Sequence, residues 1–460
     1  MSTPHSRRTV IEPFKIKVVE RIPMRTRAER EAVLVEAGYN LFAVPADHVT
    51  FDFLTDSGTA ALSTAQWSAM MQADESYAGS RSFLRLKETV GRVTGYANVI
   101  PAHQGRACER VLFGHLVKPG SKIPSNTHFD TTRANILAFG GEAVDLPIPE
   151  ARDFTNPHPF KGNIDLARLE KFCDDHRTDI PFAILTLTNN SGGGQPVSLE
   201  NIRKASLILK QRGIPLLYDA CRYAENCAFI RLREPGQAGR PIREIARETF
   251  ELADGAYMSG KKDALVNMGG FIALKDDHWM EALRAILIRG DGFPTYGGMS
   301  ARDLEAMAVG LEEALEEDYL EYRLATVRYM AEGLNRLGVQ TIQPPGGSAL
   351  FIDAQALLPH LGARELPAQT LVIELFREEG IRSAEIGSGM LGRTINGTFT
   401  GPGQELVRWA FPRRAYTQSH FDYVLEGMAE LMLRKDTLRG MRLEREVAMP
   451  RQFTGRFLPL

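Results

Sequence analysis

The sequence is poor in cysteine and has no long apolar run, and both absences narrow the class of protein. Its four cysteines, Cys108, Cys173, Cys221 and Cys227, form no Cys-x-x-Cys pair and lack the spacing of a disulfide framework. Such usage is typical of a reducing cytoplasm. No stretch approaches the roughly 18 apolar residues of a membrane span, and the first ten residues lack the apolar core of a signal peptide. We therefore expect a cytoplasmic protein without a membrane partner.

The chain also lacks an excess of charge of either sign. Its 55 basic and 57 acidic residues give a net charge of -2, so no bulk field attracts nucleic acid or an anionic membrane. Internal repeats and low-complexity tracts are absent. A content of 43% hydrophobic and 24% charged residues is ordinary for a globular enzyme. At 460 residues the chain exceeds the usual limit of one core, which predicts two domains.

Helical patterns alternate with short apolar runs between residues 158 and 290. In chain order these are helix 165–176, strand 182–188, helix 199–212, strand 214–219, helix 241–252, and strands 255–258 and 270–275. This order predicts an α/β fold with a mainly parallel sheet wrapped by helices.

The remaining segments predict a smaller second domain. Residues 1–50 have the pattern of a polar N-terminal arm suited to subunit contacts, and residues 51–310 form the predicted large domain. Residues 311–460 form a predicted small α/β domain, with which the arm could pack. A long helical pattern from Ala301 to about Leu337 joins the two domains, and strand-like runs follow at 349–353 and 406–411.

One aspartate and one lysine give the first chemical hypothesis. The apolar run Ile214-Pro-Leu-Leu-Tyr-Asp-Ala220 ends at Asp219, and Lys262 stands between a Ser-Gly step and a buried strand. Such a lysine is either solvated or has a lowered pKa and a role such as Schiff-base formation. Pyridoxal phosphate chemistry needs a lysine to hold the aldehyde and an acid to keep the pyridine nitrogen protonated. Asp219 and Lys262 are therefore candidates for that pair.

Polar residues suited to the same cofactor follow the other predicted strands. Gln104-Gly-Arg106 lies on a strand-to-helix turn whose amides would accept an anion, and Arg106 adds a fork suited to phosphate. Phe129 could cover the cofactor face, and Asn190 could hold a cofactor oxygen. Core packing and ordinary turns are the alternatives for each residue. All these loops leave strand carboxyl ends, where pockets of such sheets form, and this shared position favours a site.

Seven motifs occur in an order that points to one family. They are Leu54-Thr-Asp-Ser-Gly-Thr59, Asp74-Glu-Ser-Tyr-Ala-Gly79, His103-Gln-Gly-Arg106, Gly193-Gly-Gln-Pro-Val-Ser198, Ser259-Gly-Lys-Lys-Asp263, Pro294-Thr-Tyr-Gly-Gly298 and Tyr416-Thr-Gln-Ser-His420. From about Glu12 onward the chain resembles the pyridoxal phosphate-dependent β-eliminating lyases, the tryptophanase and tyrosine phenol-lyase family. The resemblance implies an aminotransferase-like fold of type I and a small amino-acid substrate. It also implies a homotetramer, a dimer of dimers with active sites between subunits.

The resemblance implies a role for each matching residue. Lys262 would form the Schiff base and remove the α-proton, Asp219 would lie under the pyridine nitrogen, and Tyr77, contributed across the dimer, would protonate the departing ring carbon. The other cofactor contacts would be Gln104, Gly105, Arg106, Phe129, Asn190, Arg222, Ser259 and Lys261. The substrate would contact Thr55, Ser57, Asn190, Phe293, Tyr296, Ile386, Arg413 (at its carboxylate), Gln452 and Phe453. Glu75 and the backbone oxygens of Gly58 and Asn267 would hold a monovalent cation, normally potassium.

Two positions bear on the leaving group. Asp130 and Ile386 stand where tyrosine phenol-lyases have threonine and arginine, and both match tryptophanases. A pocket without arginine but with one carboxylate suits an indole N–H, because a buried acceptor needs a donor. We therefore expect conversion of L-tryptophan to indole, pyruvate and ammonia. Departures at Gln452 and Cys221 and in Val266-Asn-Met268 keep tyrosine phenol-lyase activity as an alternative, followed by a pyridoxal phosphate transaminase or decarboxylase and an inactive scaffold.

Overall fold

The computed structural model describes residues 10–395, 398–445 and 451–460, without the side chains of 394, 395, 398 and 452. The chain forms two compact units. The first contains Ser57–Leu324 and a segment that ends at Pro13, and the second contains Phe14–Asp56 and Ala325–Leu460. The domain boundaries at residues 50 and 310 stay predictions.

Strands and helices are numbered along the whole chain. The strands are β1 (Phe51–Asp52), β2 (Asn98–Ala102), β3 (Lys122–Ser125), β4 (Glu142–Asp145), β5 (Ala183–Thr186), β6 (Leu216–Asp219), β7 (Gly255–Ser259), β8 (Gly270–Leu274), β9 (Ala349–Asp353), β10 (Ile381–Arg382), β11 (Ala384–Ile386), β12 (Arg393–Ile395), β13 (Thr398–Thr400), β14 (Leu406–Ala410), β15 (Met441–Leu443) and β16 (Phe457–Pro459). The helices are α1 (Arg27–Glu36), α2 (Thr64–Met70), α3 (Arg81–Thr94), α4 (Gly105–Leu116), α5 (Asp130–Ala138), α6 (Leu166–Asp175), α7 (Leu199–Lys210), α8 (Tyr223–Arg233), α9 (Ile242–Glu251), α10 (Met280–Gly290), α11 (Ala301–Glu313), α12 (Glu317–Arg336), α13 (Ala354–Leu357), α14 (Pro367–Glu379), α15 (Ser388–Leu391), α16 (Gln418–Met432) and α17 (Arg451–Thr454).

The first unit is built on a seven-stranded sheet in the order β2-β8-β7-β6-β5-β3-β4. The neighbours from β7 through β4 pair in parallel, whereas β8 pairs antiparallel with both β7 and β2. The predicted α/β fold with a mainly parallel sheet is thus confirmed. Because β2 therefore runs in the same direction as β7, the loops after β2, β3, β5, β6 and β7 all leave one edge of the sheet.

Full burial explains why these strands read as continuous apolar runs. Every residue of β5, β6, β7 and β8 is buried, as expected when helices cover both faces of a parallel sheet. Phe113 of α4 stacks on Phe182 at 5.6 Å between ring centroids and meets the Tyr257 ring edge-on at 5.8 Å. This packing holds α4 against the strands whose ends carry the candidate site.

The long helical pattern from 301 to 337 is two helices, α11 and α12. Ser300 begins α11 with a capping box that includes Asp303, and the break follows at Ala314. Ala314 and Leu315 are buried at the break, with 0% and 3% of their surface exposed. Packing of these two residues into the core outweighs their helix propensity.

The second unit has its own core around an antiparallel sheet in the order β11-β14-β9, with β1 and β10 paired in parallel beside it. Thr26 begins α1 with a capping box to Glu29. Val33 and Leu34 of α1 belong to the same buried cluster as Trp409 of β14. Helix α1 of the N-terminal segment is therefore part of this core.

Two further observations concern the described residues. No helix among them is both long and apolar enough to cross a lipid bilayer. All four cysteines are free thiols.

Candidate active site

The candidate site residues of the first unit lie where its parallel strands end. Asp219 is the last residue of β6 and Ser259 the last residue of β7, and Lys261 and Lys262 follow Ser259 after Gly260. Gln104 is the N-cap of α4, after β2. The structure therefore brings these residues to the same edge of one sheet.

Asp219 is a buried carboxylate, with 4% of its surface exposed. The backbone N–H of Cys221 donates to its Oδ1 at 3.2 Å. The backbone carbonyl of Asp219 accepts from the N–H of Leu187 at 2.9 Å. The carbonyl of Leu187 accepts in turn from the N–H of Arg222 at 2.9 Å. These bonds join the loops after β5 and β6 and orient the Asp219 carboxylate.

Three cations lie close to one another at the end of β7. Burial lowers the pKa of Lys261, and the positive charges of Lys262 and Arg106 lower it further. The Lys261 carbonyl accepts from the N–H of Gly58 at 2.8 Å, which fixes the backbone there. Mutual repulsion of like charges makes such a cluster favourable for an anion such as phosphate.

The start of α4 and the end of β7 approach so closely that only glycine fits between them. A Cβ on Gly105 would lie 2.8 Å from Ser259 Cβ, and one on Gly270 would lie 3.0 Å from the carbonyl carbon of Gln104. The first turn of α4 thus presents its backbone N–H groups beside the three cations, and helix N-termini bind phosphate in this way. With the buried Asp219 nearby in the sheet, the residues present fit pyridoxal phosphate.

The loops after β3 and β5 carry the remaining predicted cofactor residues. Phe129 is the half-buried N-cap of α5, Asp130 is its exposed first residue, and Asn190 is buried in the loop after β5. Ser191 Oγ donates to the His128 carbonyl at 3.2 Å and joins the two loops. Asp145, at the end of β4, accepts from His128 Nδ1 at 2.7 Å, a pairing that the sequence did not indicate.

Three predicted aromatic residues form one cluster. The Tyr77 ring stacks on Phe293 at 5.2 Å between centroids and lies 5.4 Å from Tyr296. Hydrogen bonding to Tyr296 raises the pKa of the Tyr77 phenol. Tyr77 is 66% exposed in the single chain, so its ring remains open to further contacts.

The structure brings together two of the three predicted cation ligands. Asn267 Nδ2 donates to the Gly58 carbonyl at 3.0 Å, and a Cβ on Gly58 would lie 3.0 Å from the Asn267 carbonyl oxygen. The Glu75 carboxylate accepts from the N–H of Ala301 at 3.0 Å and pairs with Arg302 Nε at 3.1 Å. Within the described residues, no group of three or more His, Cys, Asp or Glu side chains could hold a metal.

The second unit contains Arg413, which is completely buried. Its Nη1 lies 2.9 Å from Asp56 Oδ2 and donates to the Asp56 carbonyl at 3.2 Å. This ion pair therefore lies in the interior of the second unit. A buried guanidinium is well suited to bidentate binding of a carboxylate.

The other predicted substrate residues have varied surroundings. Thr55 and Ser57 flank Asp56 and are half-buried, as is Ile386 at the end of β11. Phe453 is 56% exposed, and its ring meets Phe42 edge-on at 5.0 Å. The side chain of Gln452 lies outside the described residues.

The comparisons with known proteins agree with this arrangement. The family model for beta-eliminating lyases matches residues 52–426. The chain is 54% identical to a tryptophanase of Salinibacter ruber, over 98% of this chain and 96% of that one. It is 47% identical to a tyrosine phenol-lyase of Intrasporangium calvum, again over 98% and 96%. A serine palmitoyltransferase of Sphingomonas wittichii has a similar fold, with a TM-score of 0.61, 14% identity and coverage of 89% of this chain and 97% of that one.

The family match covers most of the chain, and the two relatives align along nearly its full length. Family membership implies pyridoxal phosphate as the cofactor, which the cations, the glycine contacts and the buried aspartate at the sheet edge fit. The chain belongs to the beta-eliminating lyase family.

Proposed function

We propose that the protein converts L-tryptophan to indole, pyruvate and ammonia. The choice of indole rather than phenol as the leaving group rests on the residues Asp130 and Ile386. An isoleucine at 386 offers no positive charge to a phenolate, and the Asp130 carboxylate is an acceptor for an indole N–H. The identities of 54% and 47% to the two named relatives support the same preference.

The residues at the sheet edge bind different parts of the cofactor. Arg106 and Lys261 bind the phosphate, together with the first amides of α4. Asp219 holds a proton on the ring nitrogen, and the Cys221 N–H keeps its carboxylate oriented. Pyridoxal phosphate, when bound, supplies an electron-accepting ring that stabilises negative charge at the substrate α-carbon. The remaining contacts proposed from the family pattern are Gln104, Gly105, Phe129, Asn190, Arg222 and Ser259.

Two side chains move the protons. Lys262 Nζ takes the α-proton of the substrate, the role that the family pattern gives to the lysine at this position. Tyr77 OH donates a proton to the departing ring carbon, and the hydrogen bond with Tyr296 that raises its pKa keeps that proton available. Each proton transfer by a placed group contributes on the order of a hundredfold or more to the rate.

The substrate and the assembly complete the proposal. Arg413 binds the substrate carboxylate, and its burial supports this role because a desolvated guanidinium binds carboxylate strongly. Thr55, Ser57 and Asn190 assist it, and Phe293, Tyr296, Ile386, Gln452 and Phe453 face the ring. The protein works in the cytoplasm as a homotetramer. The open ring of Tyr77 supports its acting on a second copy.

A monovalent cation, potassium, belongs to the same proposal. Glu75 and the carbonyl oxygens of Gly58 and Asn267 are its ligands. The hydrogen bond from Asn267 Nδ2 to Gly58 supports this assignment, since it holds the two carbonyl-bearing segments together. Hard cations of this kind take oxygen ligands, and backbone carbonyls meet that need.

The test is a substrate panel on the cofactor-loaded protein with potassium present. Tryptophan, tyrosine, dihydroxyphenylalanine and an S-alkyl cysteine are compared by pyruvate release, with indole and phenol quantified. We expect indole and pyruvate in equal amounts and a kcat/KM for tryptophan at least about tenfold above tyrosine, or about 1.4 kcal/mol. The S-alkyl cysteine reports elimination without an aromatic leaving group, and Lys262→Ala is the inactive control. Preferred release of phenol would overturn the ring assignment.

Tyrosine phenol-lyase activity is the second candidate. Val266-Asn-Met268 and Met258-Ser-Gly-Lys-Lys262 resemble phenol-lyases more than tryptophanases. The double substitution Asp130→Thr with Ile386→Arg separates the two functions. If tryptophan is the natural substrate, this variant loses indole release and gains phenol release, whereas a natural phenol-lyase would show no such exchange.

A further inference from the structure

A buried carboxylate outside the assigned site lies on α4. Glu109 is 3% exposed, and both of its oxygens have partners on α5. Thr132 Oγ1 donates to Oε1 at 2.6 Å, and Asn135 Nδ2 donates to Oε2 at 3.0 Å. The carboxylate thus joins two neighbouring helices.

Helix α5 is attached to its neighbours mainly through polar bonds. Its only buried residues, among those described, are Thr132 and Ile136, and its N-cap Phe129 makes no side-chain capping bond. An apolar face is therefore almost missing, and the attachments are the bonds of Thr132 and Asn135 to Glu109 and those of Arg133 to the Ala143 carbonyl and to Asp145. Thr132 lies on the first turn of α5, which begins at Asp130 after the N-cap Phe129.

We propose that Glu109 is a positioning residue for the lyase reaction: by holding Thr132 and Asn135, it fixes the first turn of α5 and thereby the positions of Phe129 and Asp130. This inference rests on the proposed function, in which Phe129 covers the cofactor and Asp130 accepts from the leaving ring. Glu109 touches neither group itself. It acts through the helix.

The Glu109 carboxylate is also connected to Asp219, through Thr132 and Tyr257. Thr132 Oγ1 lies 3.5 Å from the Tyr257 hydroxyl, and Tyr257 on β7 is the register partner of Asp219 on β6. Burial, with the charge of Asp219, raises the pKa of Glu109 to about 7, against hydrogen bonds from Thr132, Thr131 and Asn135 that lower it.

The groups around Glu109 make its titration simple. Asp219 and Tyr257 face it from the sheet, α5 presents only hydroxyls and an amide, and Cys108 is its titratable neighbour on α4. Strands β2 and β8 carry no titratable side chain. Helix α10 packs on this core through Leu283 and Leu287, while its charged residues, Glu281, Arg284 and Arg289, are exposed. Protonation of Glu109 below about pH 7 turns one of its carboxylate oxygens into a hydrogen-bond donor. The attachment of Glu109 to α5 therefore weakens as pH falls.

The experiment compares Thr132→Val, Thr132→Ser and Glu109→Gln in the full-length protein. Hydrogen exchange of the α5 amides is measured without cofactor between pH 6 and 8.5, so the readout does not depend on lyase activity. A matched control is Thr249→Val, which removes a buried helical hydroxyl that bonds Ile245 within α9. Loss of a hydrogen bond to a charged group predicts exchange of the α5 amides about tenfold faster in Thr132→Val, with Thr132→Ser within about twofold of wild type.

Kinetics of the loaded enzyme supply the second readout. We expect Thr132→Val to lower kcat more than it raises KM, and Glu109→Gln to abolish the fall in kcat/KM between pH 7 and 6. Wild-type exchange of α5 in Thr132→Val, or an unchanged acid limb in Glu109→Gln, would overturn the proposal. If Thr132→Val does not fold, Thr132→Ser and Glu109→Gln decide by the same criteria. Inactivity towards every amino acid would reject the proposed function alone, since exchange still tests the attachment of Glu109 to α5.

Discussion

Substitution of Gly105 by alanine tests the contact on which the proposed phosphate site depends. Gly105 is the first residue of α4, and a Cβ there would lie 2.8 Å from Ser259 Cβ and 3.3 Å from both Ser259 Cα and its backbone nitrogen. These atoms belong to the strand β7, so they cannot rotate away as the end of a long side chain would. The helix start must therefore move relative to the strand.

The size of the movement sets the expected loss. Carbon atoms prefer separations of about 3.5 to 4.0 Å, so α4 and β7 must separate by roughly 1 Å. Overpacking of this kind costs about 1 to 3 kcal/mol. The added methyl also lies where amides and Ser259 would surround the phosphate, so the penalty falls on the loaded state. At 1.4 kcal/mol per factor of ten, the Kd for pyridoxal phosphate should rise about five- to a hundredfold.

The measurement is a titration of cofactor-free protein with pyridoxal phosphate, followed by visible absorbance, with thermal unfolding recorded for both states. Gly91→Ala is the matched control, because Gly91 is also helical and a Cβ there would meet only the Tyr96 carbonyl at an ordinary 3.6 Å. We expect that variant to bind cofactor normally and to be equally or more stable, as alanine favours helix by up to about 1 kcal/mol. Equal affinity in Gly105→Ala and Gly91→Ala would refute the reasoning.

Three other predictions follow from the charges. Lys262→Ala should lower pyruvate release by at least about a hundredfold at saturating cofactor, whereas Lys261→Ala should mainly raise the cofactor Kd; full turnover in Lys262→Ala would contradict the assignment. Arg323→Met should reduce the free energy of unfolding in denaturant titration by about 3 to 5 kcal/mol, because it removes one partner of the buried ion pair in which Arg323 Nε lies 3.0 Å from Glu225 Oε1; an unchanged midpoint would contradict this. Burial raises the pKa of Glu385 from 4.5 to about 8, so the folded state binds the proton more tightly and the free energy of unfolding should fall as pH rises across that interval. Glu385→Gln should flatten this fall in denaturant titrations at several pH values, and an unaltered slope would show that Glu385 is not its source.

The sequence was sufficient to predict the fold and the general position of the site. Apolar runs of strand length that alternate with helical patterns predict a mainly parallel sheet. Strands β5 and β6 fall within the predicted segments, and β7 extends one residue beyond its segment, to Ser259. Asp219 and Ser259 end two of these strands. Since parallel strands share one carboxyl edge, local patterns alone brought the candidate loops together.

Contacts distant in sequence could not be predicted in this way. Nothing in the pattern pairs Arg413 with Asp56, 357 positions away, or identifies β8 as the antiparallel member of the sheet. Glu109 shows the limit most clearly. A lone glutamate in a helical pattern predicts a solvated face, because only the packing of α5 makes that position buried.

Strand register connects these observations. Asp219 pairs with Tyr257 across β6 and β7, and β7 ends two residues later at Ser259. A slip of one residue would turn each side chain to the opposite face of the sheet, separating Asp219 from Lys262 and Ser259 from Gly105. Every residue of both strands is buried, so such a slip would also exchange the packing on both faces. The hydrophobic packing that stabilises the sheet therefore also keeps Asp219, Lys262 and the proposed phosphate contacts at one end of it.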